Sequence, residues 1–539
     1  MILSGMLRKI IKTFKFYFFN IFLNKQEKNI LKYISKSQYN KSKKNISIVL
    51  EMPEDYFYVI SFIFLINNLK EKFNVSIQWI KINTQYQKRG FTSILKYSPF
   101  LNLKWHKLYL ANGGNIGLDL DIDLINYIKY YSKAKSVFKK IESKDELIKL
   151  NYKGIDVGDL IYDTYLRYKP APTVDIKDKY LFKILISTFF IIDNTKKYFK
   201  KNKFDYFFTS YTSYVHHGVL SRVALNENIN IYSMGSYEIL FNKINQDFPF
   251  HIKDYRSYKN LFDKLNDNFK NEIIQKSKKL LEDRFEGIND SAIFYMKNNA
   301  YSKNETDKAR IFQDNKKKRV IIYMHDFYDS PHVRRWMLFP DFYEWLIFIL
   351  SSVNTKEFDY YIKIHPNSNP KTVEIINNIL SQLNTPVILL DKNVTSKQLI
   401  EEGFNYAITN HGTIAHELPY FNIRVLNSGD NPHINFSFSY TVSSKDEFKK
   451  IIQNPTLLDI LIKPIDFKDE ILRFYSMHNL VSNTSDKISI EENVYINSQI
   501  RFIESELQLQ QFNTKIQSSE YLESIKLPFS KFTNHLFNA

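Results

Sequence analysis

The chain has 539 residues, 44% of them hydrophobic and 16% aromatic, which is too long for one core and too apolar for wholesale disorder. It contains no cysteine, which excludes disulfides, thiolate zinc sites and a cysteine nucleophile and agrees with a reducing compartment. The net charge of +18 is concentrated at one end: residues 1–50 hold eleven Lys and Arg against one acidic residue, and no nucleic-acid-binding motif follows.

In chain order, residues 1–44 form a basic segment that alternates aromatic and aliphatic clusters with Lys. Its apolar run from Phe16 to Leu23 is too short to span a bilayer and has no cleavage site, so an interfacial helix on anionic lipid, with residues 8–44 as the contact, is one reading. A helix packed on the following domain with a solvated Lys face is the other. "NISIVL" from Asn45, the helical "YVISFIFLINNLKEKF" and "NVSIQWI" then give strand, helix, strand. A less regular region precedes "NYKGIDVGDLIYDTYLRY" and a long helix ending near Lys201. Next come a strand ending at Thr209, a polar corner, a helix through Asn226 and a strand at Ile229 to Tyr232. Residues 251–318 read as helical and linker sequence. From Arg319 the alternation restarts: strands "RVIIYM", "YYIKI", "PVILL", Asn405–Thr409 and Ile423–Leu426, with helices between. The expected organisation is an α/β chain of two Rossmann-like domains facing across a cleft, 45–250 and 319–462, with helical additions. The tail 463–539 is polar and mixed, and it is placed as a segment returning to the first domain.

In parallel sheets ligands bind off the carboxyl ends of the strands. In the second domain those ends read "HDFYDSPH", "HPNSNP", "DKNVTS", "NHGT" and "NSGDNPH", with His325, His365, His411 and His433 on the rim. Gly412 and Thr413 open a short helix, whose backbone N–H groups and dipole suit an anion, and Glu417 one turn on suits ribose hydroxyls. The plain alternative is Thr413 as an N-cap. Likewise His365 either donates to a phosphate or sugar carboxylate or caps a turn fixed by Pro366, and His416 reads as structural. Arg334 and Arg335 either approach the same phosphate or start a solvated helix. Asp326, Asp329 and Asp341 make no tight Asp-x-Asp pair, so nothing demands a metal.

The stretches "MHDFYDSPH", "YYIKIHPNSN" and "TNHGTIAHELPYFNIRVLNSGDNPHINFSFSY", in that order, resemble bacterial capsule and surface-polysaccharide glycosyltransferases of the GT-B fold. "YKGIDVGDLIYDTYLR" and "SYTSYVHHGVLSRVAL" look like the acceptor side of the same group. The resemblance implies a nucleotide-sugar donor, CMP- or UDP-linked, on the C-terminal domain, with His365, His411, Gly412 and Thr413 at its phosphate. It implies a metal-independent transfer to a capsule or lipopolysaccharide-type glycan and no separate cofactor. The expected location is cytoplasmic, with the basic segment 8–44 allowing a peripheral place on the inner face of the cytoplasmic membrane. Donor-side residues are then His325, Arg334, His365, His411, Gly412, Thr413, Glu417 and His433. An inverting transfer also needs a general base. Asp159 and Asp163, four apart on one helical face, are preferred, with Glu54, Asp55, His216 or His217 as alternatives and Arg167 and Arg222 as partners for an anionic group. Two other functions fit the same stretches: transfer of a polyol phosphate from a CDP-linked donor, as in teichoic-acid synthesis, and a non-catalytic assembly scaffold.

Overall fold

The computed structural model describes residues 22–34, 44–82, 103–169, 171–236, 240–288, 300–301, 310–365, 368–463, 466–481 and 488–538. Most of the basic segment 8–44, and Pro366, lie outside them. The chain divides into two compact units, Met1–Thr164 with Ile176–Ile252 and Ser482–Ala539, and Tyr165–Asp175 with Lys253–Val481. Among the described residues no helix is long and apolar enough to cross a membrane.

In the first unit the strands are β1 (Asn45–Glu51), β2 (Asn74–Lys81), β3 (Asn115–Asp119), the small hairpin β4 (Asn151–Tyr152) and β5 (Ile155–Asp156), β6 (Tyr206–Thr209), β7 (Asn230–Ser233) and β8 (Asn242–Ile244). Its main sheet runs β3-β2-β1-β6-β7-β8, parallel except for β8 against β7. The helix Tyr56–Lys72 is apolar on nearly every face because it is covered on nearly every face. The C-terminal helix Ser519–Asn538 lies over it, with Phe64 stacked on Phe529 at 5.6 Å, and also meets Phe241, which stacks on Phe532 at 3.8 Å. That accounts for the apolar run Tyr56–Ile66 as core sequence, too short for a membrane span. Of the tail read as polar and mixed, the helices Ile490–Ile500, Glu506–Lys515 and Ser519–Asn538 belong to this unit, whereas Lys468–Asn479 belongs to the second, so only the part from Ser482 on returns to the first unit.

In the second unit the strands are β9 (Lys318–Tyr323), β10 (Phe358–Lys363), β11 (Ile388–Leu389), β12 (Tyr406–Thr409), β13 (Arg424–Asn427) and β14 (Tyr440–Thr441), ordered β11-β10-β9-β12-β13-β14 and all parallel. Strands buried on both faces read as continuous apolar runs, as "VIIY" and "YAIT" do. Leaving the small hairpin aside, both sheets have the strand order of a Rossmann fold, 3-2-1-4-5-6. Each therefore has one place where neighbouring strands send their connections to opposite sides: between β1 and β6, and between β9 and β12. The crevice at such a switch point is where a parallel sheet binds ligands.

Candidate functional site

At the first switch point β1 ends on Glu51, which is 0% exposed, and β6 ends on Thr209. A fully buried carboxylate is costly unless its lone pairs are matched. Here it accepts from Thr209 Oγ1 at 2.9 Å, Ser210 N at 2.9 Å, Ser210 Oγ at 2.5 Å and His217 Nδ1 at 2.9 Å. The bond to Glu51 puts the proton of His217 on Nδ1 and leaves Nε2 as the basic nitrogen of a partly exposed ring. The corner that carries His217 is specially built. Tyr214 sits at φ +64, in the left-handed region, and opens a π turn Tyr214–Gly218 whose Val215 N donates to Thr164 Oγ1 at 2.9 Å. A Cβ at Gly218 would lie 2.5 Å from the Thr212 carbonyl and equally close to Leu160, so the turn closes only with glycine there.

The carboxylates preferred from the sequence have other surroundings. Asp159 forms a two-pronged ion pair with Arg222, 2.7 Å to Nη1 and 2.5 Å to Nη2, and Arg222 also donates to the Asp156 carbonyl at 2.7 Å. That geometry ties the helix Gly158–Tyr168 to the helix Val219–Asn226 and occupies both oxygens of Asp159. Asp163 is buried one turn further on. His216 is buried against His217, with ring centroids 3.9 Å apart, and burial first, then His217, hold it well below the ordinary imidazole range. Glu54 is exposed beside Asp55, which caps the helix Tyr56–Lys72 by accepting from Phe57 N. Arg167 is exposed and belongs to the second unit.

At the second switch point the residues after β9 and β12 meet. The rings of His325 and His411 lie 4.3 Å apart, and His325 stacks on Phe342 at 4.7 Å. Thr409 Oγ1 is 3.4 Å from His325 Nε2 and accepts from Gly412 N at 3.3 Å. A chain of hydrogen bonds orients His411. Trp345 Nε1, which can only donate, bonds Ser428 Oγ at 2.7 Å; Ser428 Oγ donates to Asn410 Oδ1 at 2.9 Å; Asn410 Nδ2 then donates to His411 Nδ1 at 2.8 Å. In that direction the chain leaves His411 with its proton on Nε2. Burial, with His365 and Arg334 adding to it, pushes the His325 imidazole down to about 3. Burial, then His325 and Arg334, puts His411 well below its usual value. Both are thus neutral N–H donors at physiological pH.

Arg334 is the cation of this site. Its guanidinium lies over the Tyr255 ring at 5.6 Å, its Nε is buried without a hydrogen-bond partner, and no carboxylate among the described residues pairs with it. Arg335 contrasts with it, since buried Asp430 takes its Nη2 at 2.9 Å and its Nε at 3.0 Å. His433 is buried nearby with neither ring nitrogen hydrogen-bonded, and burial and then Arg334 depress it strongly. His365 is half-buried, and burial lowers it against the opposing pull of Asp329 and Asp326.

The helix expected at this corner is short: Ile414–Glu417 is a single turn that runs into a 3-10 turn at Leu418–Phe421. One turn sums few peptide dipoles, so side chains supply most of the positive character here. Thr413 is exposed and its hydroxyl caps nothing. Glu417 is 1% exposed, with Arg284 Nη2 at 2.7 Å on one oxygen and Tyr301 OH at 2.9 Å on the other. The sequence reading missed Glu51, Asn410, Ser428 and Trp345; a carboxylate closing an otherwise apolar strand was the available signal for the first.

No family model matches the chain, and no curated protein matches it. Among solved structures it is similar to the β-Kdo 2,7 transferase of Thermosulfurimonas dismutans KpsC at 12% identity, covering 60% of this chain and 96% of that one, with a TM-score of 0.32. The β-Kdo 2,4 transferase of the same KpsC is similar at 12% identity, covering 49% and 77%, TM-score 0.30. UDP-GlcNAc 2-epimerase from Neisseria meningitidis is similar at 12% identity, covering 79% and 98%, TM-score 0.23. Likeness at that level does not reach to activity.

Proposed function

We propose that the protein is a nucleotide-sugar-dependent glycosyltransferase that elongates a capsule or lipopolysaccharide-type glycan at the inner face of the cytoplasmic membrane. The observation that carries the reading is Arg334, a cation with no carboxylate partner among the described residues, grouped with the neutral imidazoles of His325 and His411 at the switch point of the second sheet. A preorganised cation and fixed N–H donors are what a departing nucleotide phosphate requires, and in a site sheltered from water they are worth several kcal/mol, roughly, to the transition state. In the transfer the acceptor oxygen bonds to the anomeric carbon, and the bond from that carbon to the donor phosphate breaks. The electron pair stays on the phosphate oxygen beside Arg334 and His411 of the second unit, while the acceptor proton passes to a general base. Taken by itself, the first unit offers a group of that character in His217 Nε2, oriented by Glu51. In this reading side chains supply the charge, so transfer continues in excess EDTA.

A thermal-shift series with CMP, UDP, GDP and CDP tests the donor site. One of them is expected to raise the melting temperature of the wild type and not that of Arg334→Ala. If none of the four stabilises the wild type, the reading fails.

A further inference from the structure

We propose that the helix Leu124–Lys140 is a docking face for an anionic lipid surface, independent of the transfer chemistry and distinct from the basic segment 8–44. A surface helix normally turns its apolar stripe inward. This one has two apolar faces. One of them, with Tyr130 and Ala134 buried, packs on the helix Lys179–Lys201 through Tyr130 against Phe190 at 5.8 Å and Phe138 against Phe182 at 5.5 Å. On the neighbouring side Leu124, Ile125 and Ile128 are 68%, 79% and 65% exposed, and Tyr131, at the border, packs edge-on against Phe182 at 5.0 Å. Their spacing places them on one arc over the first two turns.

Lys135 and Lys139 continue the same arc, Lys129 and Lys140 lie beside it, Lys133 turns over the Tyr152 ring at 4.4 Å, and the helix contains no Asp or Glu. The acids just before it are committed. Asp123 caps the helix by accepting from Asn126 N at 2.7 Å, and Lys81 pairs with Asp119 at 3.0 Å and Asp121 at 2.8 Å. An apolar tip followed by lysines long enough to reach phosphates is the pattern of a helix lying in the headgroup layer of an anionic membrane. The four lysines on or beside the arc argue for lipid over an apolar protein groove, which has no use for them.

Co-sedimentation of the full chain with vesicles tests this, using phosphatidylcholine alone and phosphatidylcholine with roughly a third phosphatidylglycerol. The wild type is expected to pellet with the second only, and to be released by high salt. Ile125→Asp/Ile128→Asp and Lys135→Glu/Lys139→Glu are each expected to lower the partition by about tenfold with an unchanged melting temperature, since all four residues are exposed. Two results overturn the proposal: both variants pelleting like the wild type, which locates lipid affinity elsewhere, or equal binding to neutral vesicles. A third does so as well: a dimer of the wild type in sedimentation velocity that Ile125→Asp/Ile128→Asp abolishes, which makes the face a self-association surface.

Discussion

His217 has a buried carboxylate, Glu51, 2.9 Å from its Nδ1. If it removes the acceptor proton, His217→Ala lowers kcat by about 10²–10⁴ while the nucleotide-induced thermal shift is kept. Glu51→Ala removes the acceptor that keeps the His217 proton on Nδ1, so kcat falls while the nucleotide-induced thermal shift is kept. An unchanged kcat would make Glu51 structural only. Asn410→Asp makes the matching change in the second unit. A carboxylate there draws the proton of His411 to Nδ1 and turns Nε2 into an acceptor facing an anion, so nucleotide affinity drops by about tenfold or more. Titration of wild type and variant with the stabilising nucleotide measures it, and equal affinity counts against a phosphate role for His411. These positions differ in how visible they are from sequence. His325 and His411 stand just past apolar strands, where the strand-end rule looks. Glu51 is the last residue of "NISIVLE", and a charged residue after an apolar run reads as the start of a loop rather than the end of a strand. Trp345, Ser428 and Asn410 act as a chain only after three separate elements have come together, and no local pattern announces that.

At the scale of elements, Glu417 shows how a helical residue placed by spacing acquires its partners from elsewhere. Arg284 comes from the helix Asp267–Phe285 and Tyr301 from beyond it, in a stretch that reads as solvated helix and linker. Glu417→Ala removes a buried carboxylate 2.7 Å from the Arg284 guanidinium, and breaking a buried pair of that kind costs about 3–5 kcal/mol. Denaturant unfolding of the purified variant measures this, and a loss under about 1 kcal/mol would show that water reaches the pair. The same dependence on distant partners explains which elements were legible. The central strands and long helices carry their own periodicity. By contrast β14 has two residues and β3 is half-exposed along its length, so neither offers a pattern, and β8 is defined by its antiparallel pairing to β7. The tail helices look polar because their apolar positions are sparse; Phe529 and Phe532 become core only against the helix Tyr56–Lys72 and Phe241.

Over the whole molecule, burial of histidine links stability to pH. His216, His325, His365, His411, His416 and His433 are all held below the ordinary value of 6.5, with burial the largest cause each time. In the unfolded chain these groups take up protons near 6.5, whereas the folded protein does not protonate His325 until about 3. Between those values the unfolded state binds more protons, so stability is fully present above 6.5 and falls as the pH drops below it. For His325 alone the loss at a pH of about 5 is on the order of 2 kcal/mol. Asp55 and Asp326, raised mainly by burial, work in the opposite sense as the pH falls, so the discriminating comparison is between wild type and a single histidine variant. Urea unfolding at a pH of about 7 and of about 5 is expected to show a lower midpoint at the acid value for the wild type, and a smaller drop for His325→Asn, which has no proton to gain. Equal drops for the two proteins would mean that His325 protonates in the folded state near its ordinary value. Water would then reach the β9–β12 corner, and the neutral donors required at the donor phosphate would be cations instead.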